Sequence, residues 1–511
     1  MGSTTIKLMI ITLLSKFSGL IREMIFGATF GTSMIKDIYV IAESIAAVLF
    51  SFLFLAIQSC FIPMYNRIRA ESGRPAADRF TANLTNILLV LTTVIIAFAV
   101  IFMEPIVHVM AAGYTGERFV QTVYFARIEM FSLYFMAMNA CMISYLNIHD
   151  DFSTPATTGI IMNAVLILFA VLSAKTGSML LLALGTIVAT GCQYIFFPRA
   201  LKRVHYRHRP ILQFHDEHIK SVLTLAIPIM LSIVVQDVSI IIDKTVASTV
   251  ATEGGVSALD YAVKLYQLVY GIIIVSIVTA VFPQMSRFGQ NRQVGRVKKL
   301  LTRSIVSGLV LVIPAAVGMM IFAAPIVRLF FERGAFTPES TVMTAGALFW
   351  YSPCLIALVF SSLGTRAFYS IGDTRTPVRI SMGQVVLNII FNLIFSRFFG
   401  INGLAAATSL SLSLGAAATM MALRRKIGRI HLRAIAGSCR KILLITIPMG
   451  ILARGVYALL VSTSFYLALF CAVLIAVLFY GIAILFARIP EVRHMVNDAY
   501  HKLTRRTAAR R

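Results

Sequence analysis

Long apolar runs constrain this chain more than any other feature. A membrane-spanning helix needs about 20 predominantly apolar residues. Fourteen stretches meet that need, near residues 5–30, 37–63, 81–103, 119–147, 154–174, 178–198, 219–247, 256–285, 302–328, 340–369, 377–398, 402–423, 438–461 and 464–487. Backbone in hydrocarbon must satisfy its N–H and C=O groups internally, so runs of this length fold as helices. The fold class expected is an all-α integral membrane protein, with no room left for a large soluble domain. Composition agrees: 58% of the 511 residues are hydrophobic and 13% charged, against roughly 45–50% and about 25% in soluble domains. A soluble enzyme is excluded. The first stretch carries Lys16 and Arg22 and lacks a small-x-small cleavage site, so it is expected to be a retained helix rather than a signal peptide.

The chain holds 46 Lys+Arg against 21 Asp+Glu, a net charge of +25. In so apolar a sequence this balance points to membrane-flanking loops rather than to nucleic acid. Basic residues concentrate after helices 2, 6, 8 and 12: Arg67, Arg69, Arg74 and Arg79; Arg199, Lys202, Arg203, Arg207 and Arg209; Arg287, Arg292, Arg296, Lys298 and Lys299; and Arg424, Arg425, Lys426, Arg429, Arg433, Arg440 and Lys441. The alternate connections are nearly bare, with Lys36, Arg118, Lys175, Arg333 and Arg397 among the few cations there. The positive-inside rule makes the basic connections and both termini cytoplasmic.

A repeat appears at an offset of about 220 residues. Phe61-Ile62-Pro63 with Arg67 recurs as Val281-Phe282-Pro283 with Arg287, and Ile148-His149-Asp150 leading to Thr154-Pro155 recurs as Ile371-Gly372-Asp373 leading to Thr376-Pro377. Helices 1–6 and 7–12 therefore read as two six-helix lobes in parallel pseudo-repeat, an architecture that places substrate between lobes. The division expected is an N-lobe over 1–200, a basic cytoplasmic linker over 201–218, a C-lobe over 219–426, helices 13 and 14 over 427–490 and a basic tail over 491–511. Helices 13 and 14 serve either packing or a groove for a long lipid tail.

Ionisable side chains inside spanning helices cost at least about 2.5–3.5 kcal/mol each and mark candidate functional positions. They are Lys16, Arg22, Glu23, Asp37, Glu43, Arg127 and Glu129 in the N-lobe, and Asp237, Asp243, Lys244, Asp260, Lys264 and Arg366 in the C-lobe. Lys16, Arg22, Arg127 and Lys264 suit a cavity that neutralises an anionic headgroup. The competing reading pairs Arg22 with Asp37 or Glu23, pairs Lys264 with Asp260, and lets Arg127 snorkel to an interface. Asn388 and Asn392 share one face of helix 11, Thr408 lies on helix 12 and Asp237 on helix 7. Their oxygens suit a hard cation such as Na⁺ or Ca²⁺; the alternative is an interhelical hydrogen-bond cluster. The six cysteines form no CxxC, and no HExxH, P-loop or GxSxG appears. The expectation is a transporter without cofactor or covalent chemistry, driven by an ion gradient or the membrane potential. Gly403 to Ala407 suits close helix packing.

Leu14-Ser15-Lys16-Phe17-Ser18-Gly19-Leu20-Ile21-Arg22-Glu23, Phe30-Gly31, Lys36-Asp37 and Phe61-Ile62-Pro63-Met64-Tyr65 resemble the amino-terminal signature of the lipid II flippase (MurJ/MviN) family. Arg333-Gly334-Ala335-Phe336-Thr337 and Arg366-Ala367-Phe368-Tyr369-Ser370-Ile371-Gly372-Asp373-Thr374-Arg375-Thr376-Pro377 resemble it too. That family belongs with multidrug exporters and polysaccharide flippases in one exporter superfamily. The resemblance implies movement of undecaprenyl-diphosphate-linked peptidoglycan precursor from the inner to the outer leaflet of the bacterial plasma membrane by alternating access. Lipid II, membrane lipids and the cell-wall synthesis machinery are the implied partners. By position Arg22 and Asp37 match charged residues the family needs, while Lys16 and Lys264 replace family arginines. Asp237, Asn388, Asn392 and Thr408, with the Leu404 carbonyl, match the sodium site described for some members, making Na⁺ the implied coupling ion.

Two departures stand out. Val48-Leu49-Phe50-Ser51 occupies the place of a helix 2 arginine pair, and Val263 and Gln267 stand where acidic neighbours of the helix 8 cation are usual. The diphosphate-binding set is thinner here, so either Arg127 compensates or the substrate differs. The alternatives are a flippase for another polyprenyl-linked glycan such as an O-unit or capsule precursor, a drug exporter, for which so basic a cavity is a poor match, and a non-transporting envelope scaffold.

Overall fold

The computed structural model describes residues 2–51, 56–250 and 253–487. Every regular element among them is helical: α1 (Gly2–Phe30), α2 (Met34–Phe50), α3 (Ala56–Ile101), α4 (Met103–Met110), α5 (Gly116–Glu129), α6 (Ser132–Ile148), α7 (Ser153–Thr176), α8 (Met179–Cys192), α9 (Phe197–Arg203), α10 (Glu217–Val250), α11 (Gly255–Val269), α12 (Val275–Gln290), α13 (Val294–Ile321), α14 (Ala323–Phe330), α15 (Pro338–Tyr351), α16 (Cys354–Ser370), α17 (Arg375–Phe399), α18 (Ile401–Ile427), α19 (Leu432–Leu460) and α20 (Phe465–Phe486). Ten of the described helical spans are long and apolar enough to cross a membrane, or eleven when the pair α15–α16, bent by 41°, counts as one. The middle of expected helix 2 (52–55) and the basic tail (491–511) lie outside the described residues.

The expected loop over 64–80 is instead helical, so Arg67, Arg69, Arg74 and Arg79 extend α3. One residue breaks it: Gly73 takes a left-handed φ of 80° before Pro75 restarts the helix. Expected helix 4 is divided at Met130–Phe131 and expected helix 8 by a π turn over Tyr270–Ile274. Bends of this kind bring side chains into a bundle interior that a straight helix would aim elsewhere.

Packing divides the chain into two units, 1–260 with 331–340, and 261–330 with 341–511. In the first, α1 lies on α7, α2 on α5, and α3 on α6 and α10. Phe61, Tyr65, Phe80, Tyr145, Phe197 and Tyr206 anchor a buried apolar cluster in it. In the second, α17 lies on α18, α16 on α13 and α18, and α19 on α20. Gly403 makes the α17–α18 approach close, since a Cβ there would collide with the Phe395 carbonyl, as the small-residue run predicts.

The repeat survives as structure. Eight-residue helices α4 and α14 follow the long helices α3 and α13, and the breaks at Met130–Phe131 and Ser352–Pro353 divide equivalent spans. The match of Asp150 with Asp373 needs a one-residue correction. Asp150 (φ 60°) corresponds to Gly372 (φ 79°), both left-handed. The next residues, Asp151 and Asp373, cap the helices that follow: Asp151 accepts from the N–H and hydroxyl of Thr154 at 3.0 and 2.8 Å, and Asp373 from those of Thr376 at 3.0 and 2.6 Å.

Candidate functional site

The first unit holds a buried line of alternating charge. Glu23 on α1 accepts from Arg22 at 2.5 Å and from Lys36, in the first turn of α2, at 3.2 Å. Lys36 reaches Asp260 on α11 at 3.8 Å and lies over the rings of Phe26 and Tyr39, 4.8 and 5.0 Å from their centroids. Its side chain is 1% exposed and that of Arg22 12%. Held this way, an ammonium is stabilised by two carboxylates and two aromatic faces rather than by water.

Asp37, fully buried, serves the backbone. It accepts from the N–H groups of Gly254 and Ser257 at 2.9 and 2.7 Å, and it pairs with Arg118 at the start of α5. A carboxylate at the α11 N-terminus answers both the unsatisfied N–H groups and the helix dipole. Arg118 lies 3.7 Å from the centroid of the Tyr114 ring, which closes the group.

The two family-like glycine motifs meet beside it. Ala335 donates its N–H to Ala28 O at 2.8 Å, and a Cβ on Gly31 or Gly334 would collide with the carbonyls of Ala335 and Ala28 respectively. Phe331 and Phe336 stack at 5.7 Å against Gly27.

The other residues singled out from sequence distribute as follows. Lys16 is exposed on α1. Arg127 donates to the Val100 carbonyl at 3.1 Å and pairs with Glu104 of α4 at 3.2 Å, with its side chain 39% exposed, the interfacial alternative for this residue. Lys264, half-buried on α11, belongs to the second unit. Asp237 on α10 is buried in the first unit and accepts from the Ser51 hydroxyl at 2.5 Å.

In the second unit Asn392 donates to Asn388 Oδ1 at 3.1 Å, the Asn388 amide lies 3.4 Å from the hydroxyls of Thr408 and Ser411, and Thr408 donates to Leu404 O at 3.0 Å. This is a buried hydrogen-bonded cluster joining α17 to α18. Its oxygens are hard donors of the kind Na⁺ accepts. Among the described residues no three His, Cys, Asp or Glu side chains gather into a metal-binding group.

Lys36 and Arg118 were placed by sequence reasoning in sparsely charged loops, yet they are central here. The signal available was their position, within one turn of helix starts that also carry Asp37 and Glu117.

A multi-pass helical bundle with charged residues buried in its interior is a membrane-transporter architecture. Similarity agrees: an inward-facing multidrug exporter of the MATE family superposes with a TM-score of 0.70 at 15% identity, covering 82% of this chain and 98% of the other, a likeness of fold. A solved lipid II flippase MurJ in an inward closed conformation superposes with a TM-score of 0.80 at 25% identity, over 94% and 98% of the two chains. A probable lipid II flippase MurJ from Rickettsia prowazekii is 30% identical over 486 residues, 93% of this chain and 94% of that one. The profile of the lipid II flippase MurJ family matches residues 26–479. This chain belongs to that family and is a multi-pass membrane transporter.

Proposed function

We infer that this protein flips lipid II, the undecaprenyl-diphosphate-linked peptidoglycan precursor, from the cytoplasmic to the outer leaflet of the bacterial plasma membrane. The observation that carries the inference is the family match across residues 26–479, nearly the whole helical bundle. In this reading fourteen spans form two six-helix lobes with both termini cytoplasmic, and the lobes alternate access to the headgroup. Lys16, Arg22, Arg127 and Lys264 supply positive charge for the diphosphate, and Asp37 holds the outer end of the N-lobe in place. Guanidinium and ammonium groups bind diphosphate strongly where water is sparse. The polyprenyl tail stays in lipid along α19 and α20, whose exposed Ile447, Ile451, Phe470 and Val477 present an apolar face.

Na⁺ is the proposed coupling ion, with Asp237, Asn388, Asn392, Thr408 and the Leu404 carbonyl as its ligands. The donor chemistry fits: one carboxylate and several neutral oxygens suit a monovalent hard cation. Bound Na⁺ would neutralise the Asp237 carboxylate and recruit amide oxygens now used in hydrogen bonds.

The test is depletion of the protein in its host, with external lipid II scored by a membrane-impermeant probe. Wild type should restore accessible lipid II, and Arg22→Ala or Lys264→Ala should not. Unchanged accessible lipid II on depletion would overturn the substrate assignment in favour of another polyprenyl-linked glycan.

A further inference from the structure

The charge line of the first unit leaves one buried acid unused. Glu129 is 1% exposed, and its Oε2 is buried without a hydrogen-bond partner among the described residues. It is the last residue of α5, at the break before α6, inside the apolar span Gly116–Ile148. The contacts of α2 with α5 fix what faces it. Asp37 pairs with Arg118 near the beginning of both helices, and Tyr39 packs edge-on against Phe125 with ring centroids 6.1 Å apart. The two helices thus run in the same direction. One turn beyond that ring pair, at i+4 on each, stand Glu43 and Glu129.

Other charged groups of the first unit are engaged, Asp243 and Lys244 of α10, which packs on α2, among them. Arg22 is paired with Glu23. Lys36 sits between Glu23 and Asp260. On α5 itself Arg127 is paired with Glu104 of α4, and Arg118 with Asp37. On α4, His108 lies edge-on to Phe119, ten residues before Glu129. The α8 face packed on α5 contributes no charged residue, and α6 carries none. Glu129 is fully buried and Glu43 half-buried, and a carboxyl held in an apolar span beside a second one, with an oxygen left without a hydrogen bond, is best accommodated with a proton on it.

We propose that Glu129, with Glu43 facing it, is a proton-binding site of the first unit, separate from the Arg22–Glu23–Lys36 line. The proton resides on Glu129, whose carboxyl is the more deeply buried. Position at a helix break gives the site a means of exchange, because a change in the α5–α6 bend alters which side of the membrane the carboxyl reaches. The chain then holds a proton site in its first unit in addition to the oxygen cluster of its second. The site does not depend on which lipid is carried.

Infrared difference spectroscopy of the full-length protein in lipid nanodiscs, between neutral and alkaline buffers in H2O and in D2O, tests it. The wild type should show a protonated-carboxyl C=O band at neutral pH that downshifts in D2O. Glu129→Gln should remove that component, Glu129→Asp should retain one at a displaced frequency, and Glu104→Gln should leave the wild-type band unaltered. A wild-type spectrum without a protonated carboxyl overturns the proposal before any variant is made, as does a band that Glu129→Gln leaves intact. Lipid II flipping is not measured in this experiment, so failure of the proton site and failure of the flippase reading are separable.

Discussion

Asp37 and Lys36 are neighbours in sequence with different tasks, and each makes a separate prediction. Asp37→Ala removes two backbone acceptor contacts and leaves Arg118 without its partner. Breaking a buried pair from one side costs on the order of 3–5 kcal/mol, so this variant should unfold at markedly lower temperature in detergent. An unfolding temperature equal to wild type would show that Asp37 does not hold the start of α11. Lys36→Met removes the buried cation that Glu23 and Asp260 both face, whereas Lys36→Met combined with Glu23→Gln also removes one of the facing charges. The double variant should therefore be more stable than the sum of the single effects, a coupling of about 0.5–3 kcal/mol for contacting residues; strict additivity in a double-mutant cycle would contradict the direct pairing. Residue types at this site were legible in the sequence, because a charge in a long apolar run is conspicuous. Their partners were not. Pairing of Arg22 with Glu23 was one of two options left open, while the burial of Lys36 depends on where α2 begins, which hydropathy does not fix.

At the scale of elements, glycines and caps decide where helices stop. Gly31 and Gly334 sit at φ 58° with each other's neighbouring carbonyl where a Cβ would be. Gly31→Ala and Gly334→Ala should each destabilise by about 1–3 kcal/mol, read as a lowered unfolding temperature; a change of under a few tenths in either would mean that the backbones do not approach as described. Asp373 supplies the pH-dependent case. Burial pushes its carboxyl up, but hydrogen bonds from Lys426 and from the hydroxyl and N–H of Thr376 outweigh that and hold it well below the usual carboxylate range. A depressed acid stabilises the folded state above its unfolded value, near 3.9, and that contribution is lost as pH falls through the lower folded value. Asp373→Ala should weaken the start of α17 at neutral pH by about 0.5–2 kcal/mol, visible as faster amide exchange there. The deficit should shrink in strong acid, and a pH-independent difference would contradict the assignment. Helix positions were legible from hydropathy because burial in lipid demands apolar length. The breaks at Gly73, Met130 and Tyr270–Ile274 were not, since a short interruption barely changes average apolarity.

At the scale of the whole molecule, the long apolar runs carried the all-helical membrane architecture, and the motifs carried the family. What composition does not encode is which charges face one another, because that follows from helix rotation and bend rather than from spacing. Arg127 shows the limit: its type suits a phosphate site, but nothing in the spacing tells that Glu104 and the Val100 carbonyl are its neighbours. The central claim is that this bundle moves lipid II across a bilayer, and purified protein in vesicles tests it most directly. Fluorescent lipid II would be loaded with the full-length chain, and the fraction reached by an impermeant quencher followed in time. Beyond the outer-leaflet fraction seen in empty vesicles, quenching should advance with wild type and slow at least severalfold with Arg22→Ala. Quenching that stops at the empty-vesicle level with folded wild-type protein, with a membrane potential and an ion gradient imposed in turn, would contradict the account.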